Sequence, residues 1–409
     1  MGSEAAAVLA AALAAERLRV VAGLIRVTGD WELAEDCVQD AAERALERWP
    51  RDGVPDNPAA WLTTAAHRRA LDVLRRRRVE AGKLREVQAM TEREPAAVSG
   101  SDDRLALLFT CCHPALPPAG RVALTLRTVS GLSTREVARA FLVSEATMSQ
   151  RLLRTRNKIA HAGISFRVPP PHRWAERTAG VLAVVYLLFN EGYAATEGEG
   201  LRDDLAREAL TLSRLVAELL PDHDEAHALR ALLLLQDSRR AARTDAAGDL
   251  VPMEEQDRSR WDRQMVTDGL AALEAAWRSG NPAGPYRLQA EIAAVHATAA
   301  TYADTDWARV VACYDALLDV APTPVVALNR AVAVGFRDGP GAGLEALAVV
   351  ASDDRLAAYP LVPAVRADLL RRAGRTSEAV PAYQEALAVA PTEAERRFLR
   401  RRLRELGVS

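Results

Sequence analysis

The chain has 409 residues, enough for two or three domains, each with a core of its own. Aromatic residues make up only 5%, and no long alternating run rich in valine or isoleucine occurs; alanine, leucine and arginine dominate, which predicts an all-α protein and disfavours a β architecture. The net charge of -2 conceals an asymmetry: of 53 basic and 55 acidic residues, 24 and 20 lie within residues 1–165, leaving 29 and 35 for the remainder. The N-terminal part is therefore the place to look for a polyanionic partner.

Four cysteines, Cys37, Cys111, Cys112 and Cys313, form neither a disulfide framework nor a spaced C-x-x-C pair, which fits a reducing cytoplasm. The N-terminal stretch carries Glu4 and Glu16 and no basic leader. The most apolar later run, Val181 to Phe189, spans nine residues, too few for a membrane span. The expectation is a cytoplasmic protein with no membrane segment.

In chain order, the first informative stretch is "DWELAEDCVQDAAERALERW" at 30–49. Helical spacing aligns Leu33, Cys37, Ala41, Ala45 and Trp49 on one stripe and leaves Glu35, Asp36, Gln39, Asp40 and Glu43 opposite. An acidic face of this kind repels DNA; it suits a protein partner or an ordinary solvated surface, and both readings stay open on the residues alone. A proline-rich loop is expected over 50–58. In the helix that follows, Trp61, Leu62, Ala65, Leu71 and Leu74 can be buried, and His67, Arg68, Arg69 and Arg75 to Arg78 form a dense positive band.

Residues 79–101 are polar and charged, ending in "EPAAVSGSDD", the composition of a flexible connector. Beyond it, "GLSTREVARAFLVSEATMSQRLLRTRNKI" at 131–159 reads as two helices joined by a tight turn. Ser133 and Glu136 form a capping box, the first helix ends near Phe141, and Ser144 caps a second helix starting at Glu145. That helix buries Met148, Leu152 and Ile159. Its short polar residues Thr147, Ser149 and Gln150 suit base edges in a major groove, and Arg151, Arg154, Arg156 and Lys158 suit phosphates.

A second break, "RVPPPHR" at 167–173, stops any helix. The expected domains are thus 1–78, 102–166 and 174–409. In the last, Tyr314, Leu317 and Pro322 repeat as Tyr383, Ala386 and Pro391, 69 residues on, with Gly339 and Gly374 in equivalent inter-helix positions. This resembles tetratricopeptide repeats, clearest over 305–395. "TCCH" (110–113) lacks the spacing of a metal site, and "EGYAATEGEG" (191–200) lacks the strand-then-helix context of a phosphate loop. No metal, cofactor or catalytic constellation is expected.

Taken together, "AEDCVQDA", "WLTTAAHRRALDVLRR" and the helix-turn-helix resemble, in order and spacing, the two conserved regions of bacterial sigma factors of the extracytoplasmic-function (ECF) class. "LLFTCCHPALPP", "LLFNEGYAAT" and "DRSRWDR", with the repeat-bearing tail, resemble the subgroup that carries a C-terminal tetratricopeptide-type extension. The resemblance implies a region 2 bundle and a region 4 helix-turn-helix, with core RNA polymerase (β′ clamp helices and β flap) and promoter DNA as partners.

Residue by residue it implies that Glu35, Asp36, Gln39 and Asp40 dock on the clamp helices. Asp52, Asp56 and Asn57 would capture an extruded base, and Trp61, His67, Arg68, Arg69, Arg75 and Arg76 would meet the minus-ten element. The helix from Glu145 would read the minus-35 element. The tail would contact the sigma core, a second protein or a signal ligand, either inhibiting or enabling activity. The rival is a stand-alone helix-turn-helix regulator with a repeat sensor, which leaves the acidic helix unexplained.

Overall fold

The computed structural model describes residues 2–82, 100–141, 143–193, 199–278, 280–351, 353, 356, 359–390 and 392–407. Most of the expected 79–101 connector, residues 194–198 of "EGYAATEGEG" and Pro391 of the repeat pattern lie outside them. Among the described residues the protein is helical, as its composition predicts, and the one strand-type pairing is an isolated Thr244–Leu250 bridge. No helix among them is long and apolar enough to cross a membrane. Two units are distinguished, Met1–Leu187 and Leu188–Ser409.

In the first unit, α1 (Gly2–Thr28), α2 (Trp31–Asp52) and α3 (Pro58–Gly82) pack against one another. The predicted stripe of α2 is the buried one: Leu33, Cys37, Ala41, Ala45 and Trp49 are each at most 6% exposed. Trp49 meets Trp61 of α3 edge-on, 5.5 Å between ring centroids, which fixes the α2–α3 turn. That turn is shorter than the expected 50–58 loop. Pro50 lies inside α2, which continues to Asp52, and Gly53 at φ 88° reverses the chain while its N–H donates to the Trp49 carbonyl at 3.1 Å.

α4 (Gly100–Cys111) packs on α1. α5 (Pro118–Leu124) and a single π-turn (Thr125–Val129) lead to α6 (Thr134–Ala140) and α7 (Glu145–His161). No α-helix crosses 167–173, in line with the three prolines. The compact unit nevertheless continues past them into α8 (Trp174–Tyr193), because Trp174 rests on Phe109 at 6.3 Å and the Arg177 guanidinium donates to the Phe109 carbonyl at 3.1 Å.

The second unit contains α9 (Glu199–Leu219), α10 (Asp224–Asp237), α11 (Arg263–Trp277) and α12 (Pro285–Thr298). "DRSRWDR" ties its irregular 238–262 segment down. Arg258 stacks over Trp261 and donates to the His296 and Ala299 carbonyls at the end of α12, while Asp262 caps α11 through the Met265 N–H.

Then follow α13 (Trp307–Val320), α14 (Pro324–Asp338), α15 (Pro340–Ala351), α16 (Leu361–Arg372), α17 (Thr376–Val389) and α18 (Glu393–Glu405), each packed on the next. Gly339 and Gly374, both at positive φ, reverse the chain after α14 and α16, the equivalent positions expected of them. The α14–α15 crossing is close enough to demand glycine: a Cβ on Gly343 would lie 2.7 Å from the Gly335 Cα and 3.2 Å from the Ala331 carbonyl. Backbone cannot swing aside as a side chain does. Gly343→Ala is therefore expected to lose about 1–3 kcal/mol of stability despite alanine's better helix propensity, read as a lower urea midpoint.

Candidate nucleic-acid interface

Local capping builds the helix-turn-helix as predicted. The Ser133 hydroxyl accepts from the Glu136 N–H at 3.2 Å, and the Glu136 carboxylate accepts from the Ser133 hydroxyl and from the Ser133 N–H, each at 2.7 Å; these last two bonds hold that carboxyl below its usual range. The Ser144 hydroxyl accepts from the Thr147 N–H at 3.2 Å and starts α7. Met148, Leu152, Thr155 and Ile159 are buried, so Thr147, Ser149, Gln150, Arg154 and Lys158 are left exposed. Arg151 is half-buried, its guanidinium 5.1 Å from the Phe141 ring centroid, an arrangement that stiffens the turn side of the helix.

Arg156 departs from the expected outward set. Its side chain is only 12% exposed and it pairs with Glu32 at 3.0 Å and Glu35 at 3.4 Å. Glu35 departs from its expected face as well: rather than joining the exposed acids it is buried. Its carboxylate meets Arg127 at 2.7 Å and Arg156, and it accepts from the Thr128 hydroxyl at 3.3 Å.

The region before the connector and the region after it are thus clasped within one unit. Arg17 donates to the Thr128 carbonyl at 3.0 Å, Arg26 pairs with Asp103 at 3.0 Å, and Trp31 meets Phe166 edge-on. The physical reason is that Glu35 lies four residues after buried Trp31 and three before buried Val38. It shares their side of the helix, and two cations from the other region neutralise it there.

The rest of the acidic face is accessible. Asp36 and Gln39 are exposed, and Asp40 is half-buried in an ion pair with Arg69 at 2.5 Å. Arg69 is thus engaged with α2, whereas Arg68, Arg75 and Arg76 are exposed and His67 is half-buried. Arg77 likewise pairs with Asp30, the α2 cap, at 2.8 Å, which contributes to holding the Asp30 carboxyl low against the opposing effect of its burial.

Trp61 is half-buried against Trp49. Asp52 is exposed in the last turn of α2, and Asp56 is exposed in the loop. The Asn57 side-chain oxygen accepts from the Ala60 N–H at 3.0 Å, which makes it the α3 cap. Asn57→Ala is expected to lower stability by about 1 kcal/mol, and Asp56→Ala to leave the thermal midpoint unchanged. The turn "DNP", a capping residue just before a proline at the first helical position, was the available signal for this cap.

"TCCH" closes α4 inside the core. Cys111 and Cys112 are at most 2% exposed, the Thr110 hydroxyl donates to the Ala106 carbonyl, and burial pushes the Cys112 thiol up to about 11. Such thiols are poor nucleophiles. Among the described residues no group of three metal-ligating side chains is assembled.

An acidic helix leading into a basic one, followed by a helix-turn-helix, has counterparts among known proteins. Residues 13–80 match sigma-70 region 2 and residues 106–159 match sigma-70 region 4; residues 177–277 match a family of unknown function, DUF6596. The chain is 44% identical over 405 residues to an uncharacterized protein of Rhizobium meliloti, covering 97% of this chain and 95% of that one. It is 32% identical over 146 residues to the ECF RNA polymerase sigma factor SigK of Mycobacterium bovis, 33% of this chain and 74% of the relative. With the probable ECF RNA polymerase sigma factor SigI of Mycobacterium tuberculosis it shares 29% identity over 177 residues, 41% and 60% of the two chains. The protein is a sigma factor for transcription initiation, and the chain belongs to the ECF family of RNA polymerase sigma factors.

Proposed function

We propose that this chain binds core RNA polymerase through the exposed acids of α2, and reads promoters through α3 and its preceding loop at the minus-ten element and α7 at the minus-35 element. The observation that carries this reading is the bias of charge by helix: α2 has seven acidic and three basic residues, with Asp36 exposed, whereas α3 has six basic and two acidic, with Arg68, Arg75 and Arg76 exposed, and α7 four basic and one acidic, with Arg154 and Lys158 exposed. A helix bearing acids suits a protein partner. Helices bearing arginines suit phosphates.

Engaging Glu35 as well as the exposed acids would need its clasp with Arg127 and Arg156 to open, which also frees Arg156 for phosphate. In the second unit, α13–α14, α15–α16 and α17–α18 serve as tetratricopeptide-like helix pairs, supported by Gly339 and Gly374 after the second helix of two successive pairs. Their role in this reading is regulatory, through a protein or ligand partner or through the sigma regions themselves. Size-exclusion chromatography of the full chain with bacterial core RNA polymerase tests the proposal. Co-elution supports it, and binding to duplex DNA without any association with polymerase would support a stand-alone regulator instead.

A further inference from the structure

A cavity of about 300 Å³ lies beyond the C-terminal end of α7, where the chain passes through Gly163, Ile164 and the proline run before entering α8. Three arginines and a histidine line it: Arg167, Arg173, Arg177 and His113. Arg177 is 8% exposed, yet its described polar contact is the uncharged Phe109 carbonyl at 3.1 Å. Among the described residues no carboxylate lines the cavity or forms an ion pair with any of the three arginines, and neighbouring Glu176 is exposed.

Buried guanidinium groups are normally matched by a counter-charge, as Arg156 and Arg402 are in this same chain. Here, among the described residues, no carboxylate forms an ion pair with the guanidinium: exposed Glu176 attracts it without contact, and Arg173 repels it. The charge pattern is what an anion would neutralise.

The ring of His113 adds a neutral donor. Its Nδ1 accepts from the Ala115 N–H at 3.1 Å, which leaves the proton of the neutral ring on Nε2. Burial, and then Arg177, hold its pKa below the usual value against the opposing charge of Glu176, and so favour the neutral ring.

The frame is built before any ligand arrives. The Trp174 indole N–H donates to the Pro169 carbonyl at 2.8 Å, the Arg173 N–H donates to the Pro170 carbonyl at 2.9 Å, and three consecutive prolines limit the backbone between them. Fork-shaped donors carried on such a held backbone, with the Arg177 guanidinium fixed on the Phe109 carbonyl, suit a tetrahedral oxyanion. We propose that this cavity is a phosphate-binding site, formed by Arg167, Arg173, Arg177 and His113, that takes the phosphate group of a small phosphorylated molecule or of the DNA backbone flanking the stretch read by α7.

Equilibrium dialysis of the full chain against radiolabelled inorganic phosphate tests this. One phosphate per chain is expected, with binding weakened at least about tenfold in Arg167→Gln/Arg173→Gln, whose side chains are exposed and not needed for folding. Arg154→Gln/Lys158→Gln, which removes the same charge from α7, is expected to bind phosphate as the wild type does. Salt titrations of duplex binding separate the two sources. If DNA supplies the phosphate, the Arg167/Arg173 variant lowers the slope of log affinity against log salt by about two. If a small molecule supplies it, the slope stays unchanged while phosphate uptake is lost. Absent uptake at millimolar phosphate, or equal uptake by the wild type and the Arg167/Arg173 variant, would overturn the site whatever the salt slopes show.

Discussion

Asp36→Arg is expected to weaken association with core RNA polymerase by about 10- to 100-fold, with no loss of folding. Asp36 is exposed on α2, so reversing its charge disturbs no buried group. Like charges brought together across an interface repel, and they do so most strongly where a partner's basic surface is in contact. Asp40 is a poorer site for this test because its carboxylate neutralises Arg69, and its reversal would leave two cations side by side in region 2. Asp72→Arg makes the same change of net charge on exposed α3 and is the matched control. Polymerase binding measured by biolayer interferometry should fall for Asp36→Arg alone; equal binding by both variants would remove α2 from the docking surface.

The second large effect concerns the clasp. Arg127→Ala/Arg156→Ala removes both ion pairs of the Glu35 carboxylate, whose side chain is 6% exposed, and leaves it the Thr128 hydroxyl and the more distant charge of Arg17. Breaking a buried ion pair from one side costs about 3–5 kcal/mol, far more than the pair contributes relative to an apolar replacement. The double variant should therefore either unfold at a lower temperature or release one region from the other. Glu35→Gln added to it should recover much of the loss, since a neutral amide tolerates burial better than a lone charge. Calorimetry distinguishes the cases. A double variant as stable as the wild type would show that the clasp carries no energy.

Features set by neighbours in the chain were legible in the sequence. The Ser133–Glu136 capping box, the Ser144 cap, the buried stripe from Leu33 to Trp49 and the chain reversals at Gly339 and Gly374 each depend on residues within a few positions. The exposed set Asp36, Gln39, Ser149, Gln150, Arg154 and Lys158 followed from the same periodicity.

What escaped was set by distant partners. Glu35 reads with the other acids although it lies on the side of buried Trp31 and Val38, because the cations that let a carboxylate be buried there, Arg127 and Arg156, are 92 and 121 positions away. Arg69 read as a free DNA contact because its claim on Asp40 crosses from α3 to α2. Pro50 read as the start of a loop, yet the helix runs two residues past it to Asp52. No α-helix crosses the proline run at 167–173, α7 having ended at His161, but Trp174 and Arg177 reach back to Phe109 and carry the first compact unit through to Leu187.

Binding of this chain is expected to give core RNA polymerase a promoter preference. Mapping the 5′ ends of transcripts made on a library of genomic fragments by core polymerase, with and without the full chain, addresses it directly. New start sites are expected that appear only with the chain and share two upstream elements at minus-35 and minus-ten spacing. Transcripts unchanged by the chain, when a known sigma factor activates the same polymerase, would contradict it.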